Sequence, residues 1–280
     1  MSALLLILGT ISLQLQSVKN FRLALPPVNR ETSGNRLIYR SGNLDEILVE
    51  DAEALVRLNP LIIDLRNHGE GSQAAMASGT VGSRLLYSSS IEVVKLPLII
   101  SDRFWPRVEK ELSFGEALRG NLRSVIMDRG FERQLALKLE EKGLGLLYKV
   151  IADTASTEIG EVLSIVCEQV IKDKPVLFHC AKGKDRTGVI AALLMLISGK
   201  YSEEQIIEQY TLSEKLLGEE KGSGKAGDGV IDWRKLRGSP PLAMKQFLHF
   251  LKEEGGFREY LTSRAMFESS RSLDELSKIL

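Results

Sequence analysis

The run Val176-Leu177-Phe178-His179-Cys180-Ala181-Lys182-Gly183-Lys184-Asp185-Arg186-Thr187-Gly188 constrains this chain more than any other feature. Pro175 to His179 reads as a buried strand, and Gly188 to Ser198 reads as an almost wholly apolar helix ended by Gly199. Between them, a cysteine and an arginine six positions apart bracket a short loop. A helix that starts there points its unpaired N–H groups and the positive end of its dipole back at that loop. An anion can sit in it.

Each residue type answers a chemical need. A cysteine is a useful nucleophile only as thiolate, and helix N-termini and nearby cations favour that form. Cys180 has both influences by position. Arg186 supplies a planar fork that holds two oxygens of a phosphate at once, which a lysine cannot copy. Gly183 lets the backbone turn tightly enough for successive N–H groups, from Ala181 through Lys182, Lys184 and Asp185 to Arg186, to converge on those oxygens. Thr187 can donate its hydroxyl hydrogen to the cysteine sulfur.

At His179, Cys180, Arg186 and Thr187 the chain resembles the cysteine-based protein tyrosine phosphatase superfamily, whose signature is His-Cys, five residues, then Arg and Ser or Thr. The string Gly183-Lys184-Asp185-Arg186-Thr187-Gly188 is similar to one branch, the LipA-like or atypical dual-specificity phosphatases that act on tyrosyl phosphate or lipids. Asn20-Phe21-Arg22, Tyr39-Arg40-Ser41-Gly42-Asn43-Leu44, and Ile63-Asp64-Leu65-Arg66 with Glu70 look like its earlier blocks. Gly238-Ser239-Pro240-Pro241, Met244, Leu248, Gly255-Gly256 and Tyr260-Leu261 look like its closing helices. Two departures stand out. Leu23 replaces the usual acidic residue, and Lys182 adds a cation where many relatives carry a small residue, which tilts toward polyanionic substrates.

The resemblance implies two steps: Cys180 attacks phosphorus, and water then hydrolyses the thiophosphoryl enzyme. Arg186 and the loop amides would stabilise the charge that spreads over the phosphoryl oxygens. The leaving oxygen needs a positioned acid. The chain lacks a Trp-Pro-Asp loop, because Trp105-Pro106 is followed by Arg107, which cannot give and regain a proton at neutral pH. In the resembled branch the aspartate before the signature arginine serves instead, and Asp185 occupies that place; Asp153 and Asp102 are alternatives. Asp64 and Arg66 could brace the loop, or simply pair within the fold.

No cofactor or metal is called for. The three histidines, His68, His179 and His249, lack metal-ligand spacing, and His179 reads as a residue that orders the loop rather than as a base. A nucleotide-binding loop would need Ser or Thr where Asp185 stands, and a glycine where Phe178 stands. A noncatalytic phosphate-binding module remains the main rival to an enzyme, although such modules usually lose the cysteine or arginine.

Lys+Arg and Asp+Glu are equal at 37 each, so no global field points to nucleic acid or a membrane surface. The two cysteines, Cys167 and Cys180, argue against a disulfide scaffold and for a reducing, cytoplasmic setting. Cys167 falls in an apolar helix pattern with Ile159, Val162, Leu163, Val166 and Val170, and reads as core or as a partner for oxidised Cys180. Leu4 to Leu8 is too short to span a membrane and lacks the flanks of a signal peptide.

The expected architecture is α/β: a small, mostly parallel sheet flanked by helices, with the site at the strands' carboxyl ends. Residues 20–280 read as one domain behind an N-terminal extension at 1–19, with a helical insertion at about 99–148 that either caps the site or packs ordinarily. Strands are expected at 36–40 and 61–65, helices at 45–58 and, with a Ser202/Gln205 capping box, up to Leu217; 69–82 and 218–229 read as loops. The substrate expected first is protein phosphotyrosine, with phosphoinositides close behind. Lys182, Lys184 and Arg186 around a shallow opening would favour the lipid.

Overall fold

A computed structural model describes residues 13–28, 37–67, 70, 79–113, 141–218 and 238–280. Among these residues five strands form one sheet: β1 (Arg22–Leu23), β2 (Ile38–Ser41), β3 (Leu61–Asp64), β4 (Val93–Lys95) and β5 (Val176–His179), in the order β1-β2-β5-β3-β4. Only β1 runs antiparallel. Around the sheet lie α1 (Val49–Leu58), α2 (Val81–Tyr87), α3 (Ser101–Ser113), α4 (Leu144–Thr154), α5 (Ser156–Ile171), α6 (Asp185–Ser198), α7 (Glu203–Leu217), α8 (Pro241–Glu253), α9 (Phe257–Glu259) with a π turn at Tyr260–Arg264, and α10 (Leu273–Ile279). This is the expected mostly parallel α/β arrangement.

Strand periodicity explains the two cores. Successive side chains on a strand point to opposite faces. Ile38, Ile63, Val176 and Phe178 therefore join α4, α5, α6 and α8 in one apolar cluster, while Tyr39, Ile62 and Leu177 join α1, α2, Leu15 and Val18 in the other. All four residues of β3 and of β5 are buried, as strands covered on both faces must be. α6 is apolar nearly all round because it runs through the larger cluster; Val189, Ile190, Leu193 and Leu194 are fully buried, each contributing about 1.5–3 kcal/mol.

Several boundaries differ from the sequence expectation, for local reasons. α1 starts at Val49 rather than 45, because the Asp45 carboxylate is drawn to Arg66 and the Leu48 amide donates to Ser17 Oγ. α6 starts at Asp185, so the polar tripeptide before Gly188 forms its first turn. The 69–82 loop ends early: Thr80 Oγ1 accepts from Ser83 N and caps α2, which places Gly82 inside a helix. A Cβ there would lie 2.3 Å from the Ile47 carbonyl oxygen. Gly199 closes α6 in the left-handed region, and Ser202 with Gln205 forms the expected capping box on α7.

β5 is the central strand. Its last residue, His179, pairs with Ser41 of β2 and Asp64 of β3, so three parallel strands deliver their carboxyl ends to one edge. That register sets Ser41 and Asp64 on either side of the strand end that leads to Cys180. Among the described residues no helix is long and apolar enough to cross a membrane.

Candidate active site

The loop that follows β5 is held from behind through its carbonyls. Asn43 N and Nδ2 donate to Ala181 O at 3.0 and 3.2 Å. Asn20 Nδ2 donates to Lys182 O at 3.1 Å and to Gly183 O at 2.7 Å, and Arg40 Nη2 donates to Gly183 O at 2.8 Å. In a trans peptide the N–H points away from the C=O before it. With the carbonyls of 181–183 held by these donors, the amides of residues 182–184 therefore point away from them. Gly183 makes the turn possible: its φ is +65°, and a Cβ would lie 2.4 Å from the Ser41 carbonyl.

Cys180 is buried at the strand end, and Arg186 follows in the first turn of α6. Arg186 meets Glu70 in a two-point contact, Nη2 to Oε2 at 2.9 Å and Nη1 to Oε1 at 3.3 Å. Burial alone would lower its pKa, but the neighbouring Cys180, Glu70 and Asp185 raise it above the ordinary value. Arg40 is the second cation here. It is 2% exposed behind the loop, where burial lowers its pKa to about 10 while Cys180, Tyr148, Tyr210 and Asp185 partly hold it up. Both guanidinium groups stay charged at neutral pH and sense Cys180.

Asp185 opens α6. Its Oδ1 accepts the Tyr148 hydroxyl at 2.7 Å and lies 3.4 Å from Lys184 Nζ, and the side chain keeps a quarter of its surface exposed. Beside the loop, Asp64 and Arg66 form a buried ion pair, Oδ1 to Nε at 2.9 Å and Oδ2 to Nη2 at 3.0 Å, which Asp45 extends. His179 Nε2 stands 4.0 Å from Asp64 Oδ1.

The model of the tyrosine phosphatase family matches residues 13–280. The chain belongs to the tyrosine phosphatase family. A tyrosine-protein phosphatase of Nostoc commune is 43% identical over 58 residues, which make up 20% of this chain and 19% of that relative.

Against that family background, some sequence expectations are corrected. Lys184 does not complete a ring of cations: its ammonium donates to Gly238 O at 2.7 Å and is buried. Thr187 Oγ1 is buried with no hydrogen-bond partner among the described residues, so its expected bond to the sulfur is absent. The His179 carbonyl accepts from Leu65 N at 2.9 Å, and among the described residues neither ring nitrogen has a hydrogen-bond partner. Lys182 contributes the carbonyl that Asn20 holds.

The two weaker acid candidates lie on α3 and α4. Asp153 pairs with Arg107 and Arg264, and Asp102 is exposed on the first turn of α3. Within the expected 99–148 insertion, Phe104 and Val108 of α3 pack into the larger core, and residues 114–140 lie outside the described residues. Cys167 is a fully buried core residue whose thiol burial pushes up to about 12. His249 pairs with Glu253 on an exposed helix face, and His68 lies outside the described residues. Among the described residues no three His, Cys, Asp or Glu side chains gather as metal ligands.

Three contacts at the loop had no separate signal in the sequence: Arg40 behind Gly183, the Tyr148 hydroxyl on Asp185, and the Tyr210 hydroxyl on Tyr148. Arg40 lay inside a motif, whereas the tyrosines sit in ordinary amphipathic helices, more than 20 residues from the loop.

Proposed function

We propose that this protein is a phosphomonoesterase that hydrolyses protein phosphotyrosine through a cysteinyl-phosphate intermediate. The observation that carries this reading is the loop's anchoring: Asn43, Asn20 and Arg40 tie back three successive carbonyls, which leaves the amides that follow them facing away from those donors. Backbone amides left facing one way beside a helix N-terminus are complementary to a phosphoryl group.

In the first step the Cys180 thiolate attacks phosphorus, the bond from phosphorus to the tyrosyl oxygen breaks, and that oxygen takes the proton held by the Asp185 carboxyl. In the second, a water attacks the phosphorus. Asp185, now a carboxylate, accepts its proton, the S–P bond breaks, and inorganic phosphate leaves with the thiolate restored. Arg186 and the loop amides hold the equatorial oxygens through both steps, and Glu70 keeps the Arg186 fork flat to its ligand. No residue role in this scheme calls for a metal.

The tyrosyl substrate is favoured over a phosphoinositide by one contact. A ring of Lys182, Lys184 and Arg186 would suit a polyphosphorylated headgroup, but the Lys184 ammonium is drawn to Gly238 and Asp185. Retention of Cys180, Arg186 and Glu70 supports an enzyme over a binding module. Cys167 and Cys180 are both free thiols, which suits the reducing, cytoplasmic setting that a catalytic cysteine needs.

The test is phosphate release from a phosphotyrosyl peptide and from phosphoinositide vesicles, each with EDTA, by wild type and Cys180→Ser. Release that needs Cys180 and is faster on the peptide is expected. Equal release by Cys180→Ser would sink the mechanism, and faster release from the vesicles would replace the substrate.

A further inference from the structure

Tyr148 of α4 and Tyr210 of α7 reach the site from outside the loop. Tyr148 Oη donates to Asp185 Oδ1 at 2.7 Å and lies 2.7 Å from Tyr210 Oη. A phenol carries one hydrogen. With the Tyr148 hydrogen on Asp185, the contact between the two hydroxyls must be donated by Tyr210, so the chain runs one way, from Tyr210 through Tyr148 to the carboxyl.

The chain is rigid. Tyr148 is 0% and Tyr210 1% exposed, and their rings meet edge to face with centroids 5.8 Å apart. Hydroxyls on rings packed in this way keep their aim without a loop to order. Burial, reinforced by the Asp185 charge and by Tyr210, pushes the Tyr148 pKa well above its ordinary value, so Tyr148 remains a neutral donor across the working pH range.

The consequence falls on the two carboxyl oxygens. Oδ1 receives the Tyr148 hydroxyl and has the Lys184 ammonium at 3.4 Å, whereas Oδ2 takes no hydrogen bond among the described residues. A carboxylic acid that accepts donors at one oxygen carries its proton on the other. We infer that Tyr148, backed by Tyr210, is a positioning residue: it holds Oδ1 as acceptor and thereby makes Oδ2 the oxygen that exchanges the proton. In the first step the Oδ2–H bond breaks as the leaving oxygen gains that hydrogen; in the second, Oδ2 regains one from water. This inference rests on Asp185 being the acid in the reading above.

The experiment uses two esters that differ only in their need for an acid. The tyrosyl group leaves as a phenol and needs a proton, whereas the 2,4-dinitrophenyl group leaves as a stable phenolate. Asp185→Asn should lose about 100-fold in kcat/KM, which reports the first step and not the hydrolysis common to both esters, on phosphotyrosine and little on the dinitrophenyl ester. Tyr148→Phe, which removes one oxygen and keeps the ring, should lose about 10-fold on phosphotyrosine and stay within about twofold of wild type on the other ester. Tyr210→Phe should show the same selectivity, more weakly, and serves if Tyr148→Phe does not fold.

Equal losses on both esters in the tyrosine variants, with Asp185→Asn still selective, would overturn the positioning role and leave the acid standing. An unselective Asp185→Asn would overturn both. Wild-type turnover of neither ester would instead fail the phosphatase reading itself, and this inference with it.

Discussion

Arg186 and Glu70, 116 residues apart in the chain, face each other in a two-point contact with Nη2 to Oε2 at 2.9 Å and Nη1 to Oε1 at 3.3 Å. The pair fixes the plane of the guanidinium. In the proposed mechanism a bidentate phosphate contact depends on that plane, which predicts that Glu70 acts on catalysis more than on folding.

Glu70→Ala should therefore lower kcat/KM on a phosphotyrosyl peptide by about 10- to 100-fold. The Glu70 side chain is 39% exposed, so the ion pair is screened and unfolding free energy should change by less than about 1 kcal/mol. Steady-state kinetics beside urea unfolding checks both halves. A large stability loss with unchanged kinetics would reverse the assignment.

Gly183→Ala should remove activity and destabilise the fold together. The substitution places a Cβ at positive φ, 2.4 Å from the Ser41 carbonyl, and neither backbone can give way without moving β2 or the loop. The strain is about 1–3 kcal/mol, visible as a lower Tm, and phosphate release should fall by more than about 100-fold.

Stability should carry a signature of His179. Burial lowers its pKa from 6.5 to about 4, despite the nearby Asp64 charge that favours protonation. On acidification the unfolded chain therefore takes up this proton first. Stability is unaffected by the group above pH 6.5, falls as pH drops from 6.5 toward 4, and levels off below, for a total of about 3 kcal/mol. Urea unfolding of wild type and His179→Gln across that window checks it, and the variant should lack this component. Identical pH slopes would contradict a buried neutral imidazole.

The two thiols should differ in reactivity. Cys167 is 0% exposed with its pKa pushed up to about 12, so in the folded protein it should resist iodoacetamide, and Cys167→Ala should retain full activity. Peptide mapping after alkylation should find the label at Cys180 and reach Cys167 only in denaturant. Labelling of Cys167 in the native protein would restore it as a redox partner.

What was legible in the sequence was what is local in the chain. Cys180, Gly183 and Arg186 belong to one strand-loop-helix, and Gly199 and the Ser202/Gln205 box act within a turn of their own helices. The α1 start was misplaced because Asp45 answers to Arg66, 21 residues on. Lys184 was expected around the anion and binds Gly238, 54 residues away, while Asp185 finds its hydroxyl donor 37 residues back. Charge and position along the chain set what such a side chain can do; the tertiary partner decides what it does.

The central claim is that Cys180 carries the phosphoryl group between the two steps. It is tested most directly by acid-quenching wild type within one turnover of a phosphotyrosyl peptide and mapping the protein by mass spectrometry. The account predicts a single phosphoryl adduct on the peptide containing Cys180, absent from Cys180→Ser. Turnover in wild type with no adduct at any quench time, or with an adduct on another residue, would contradict it.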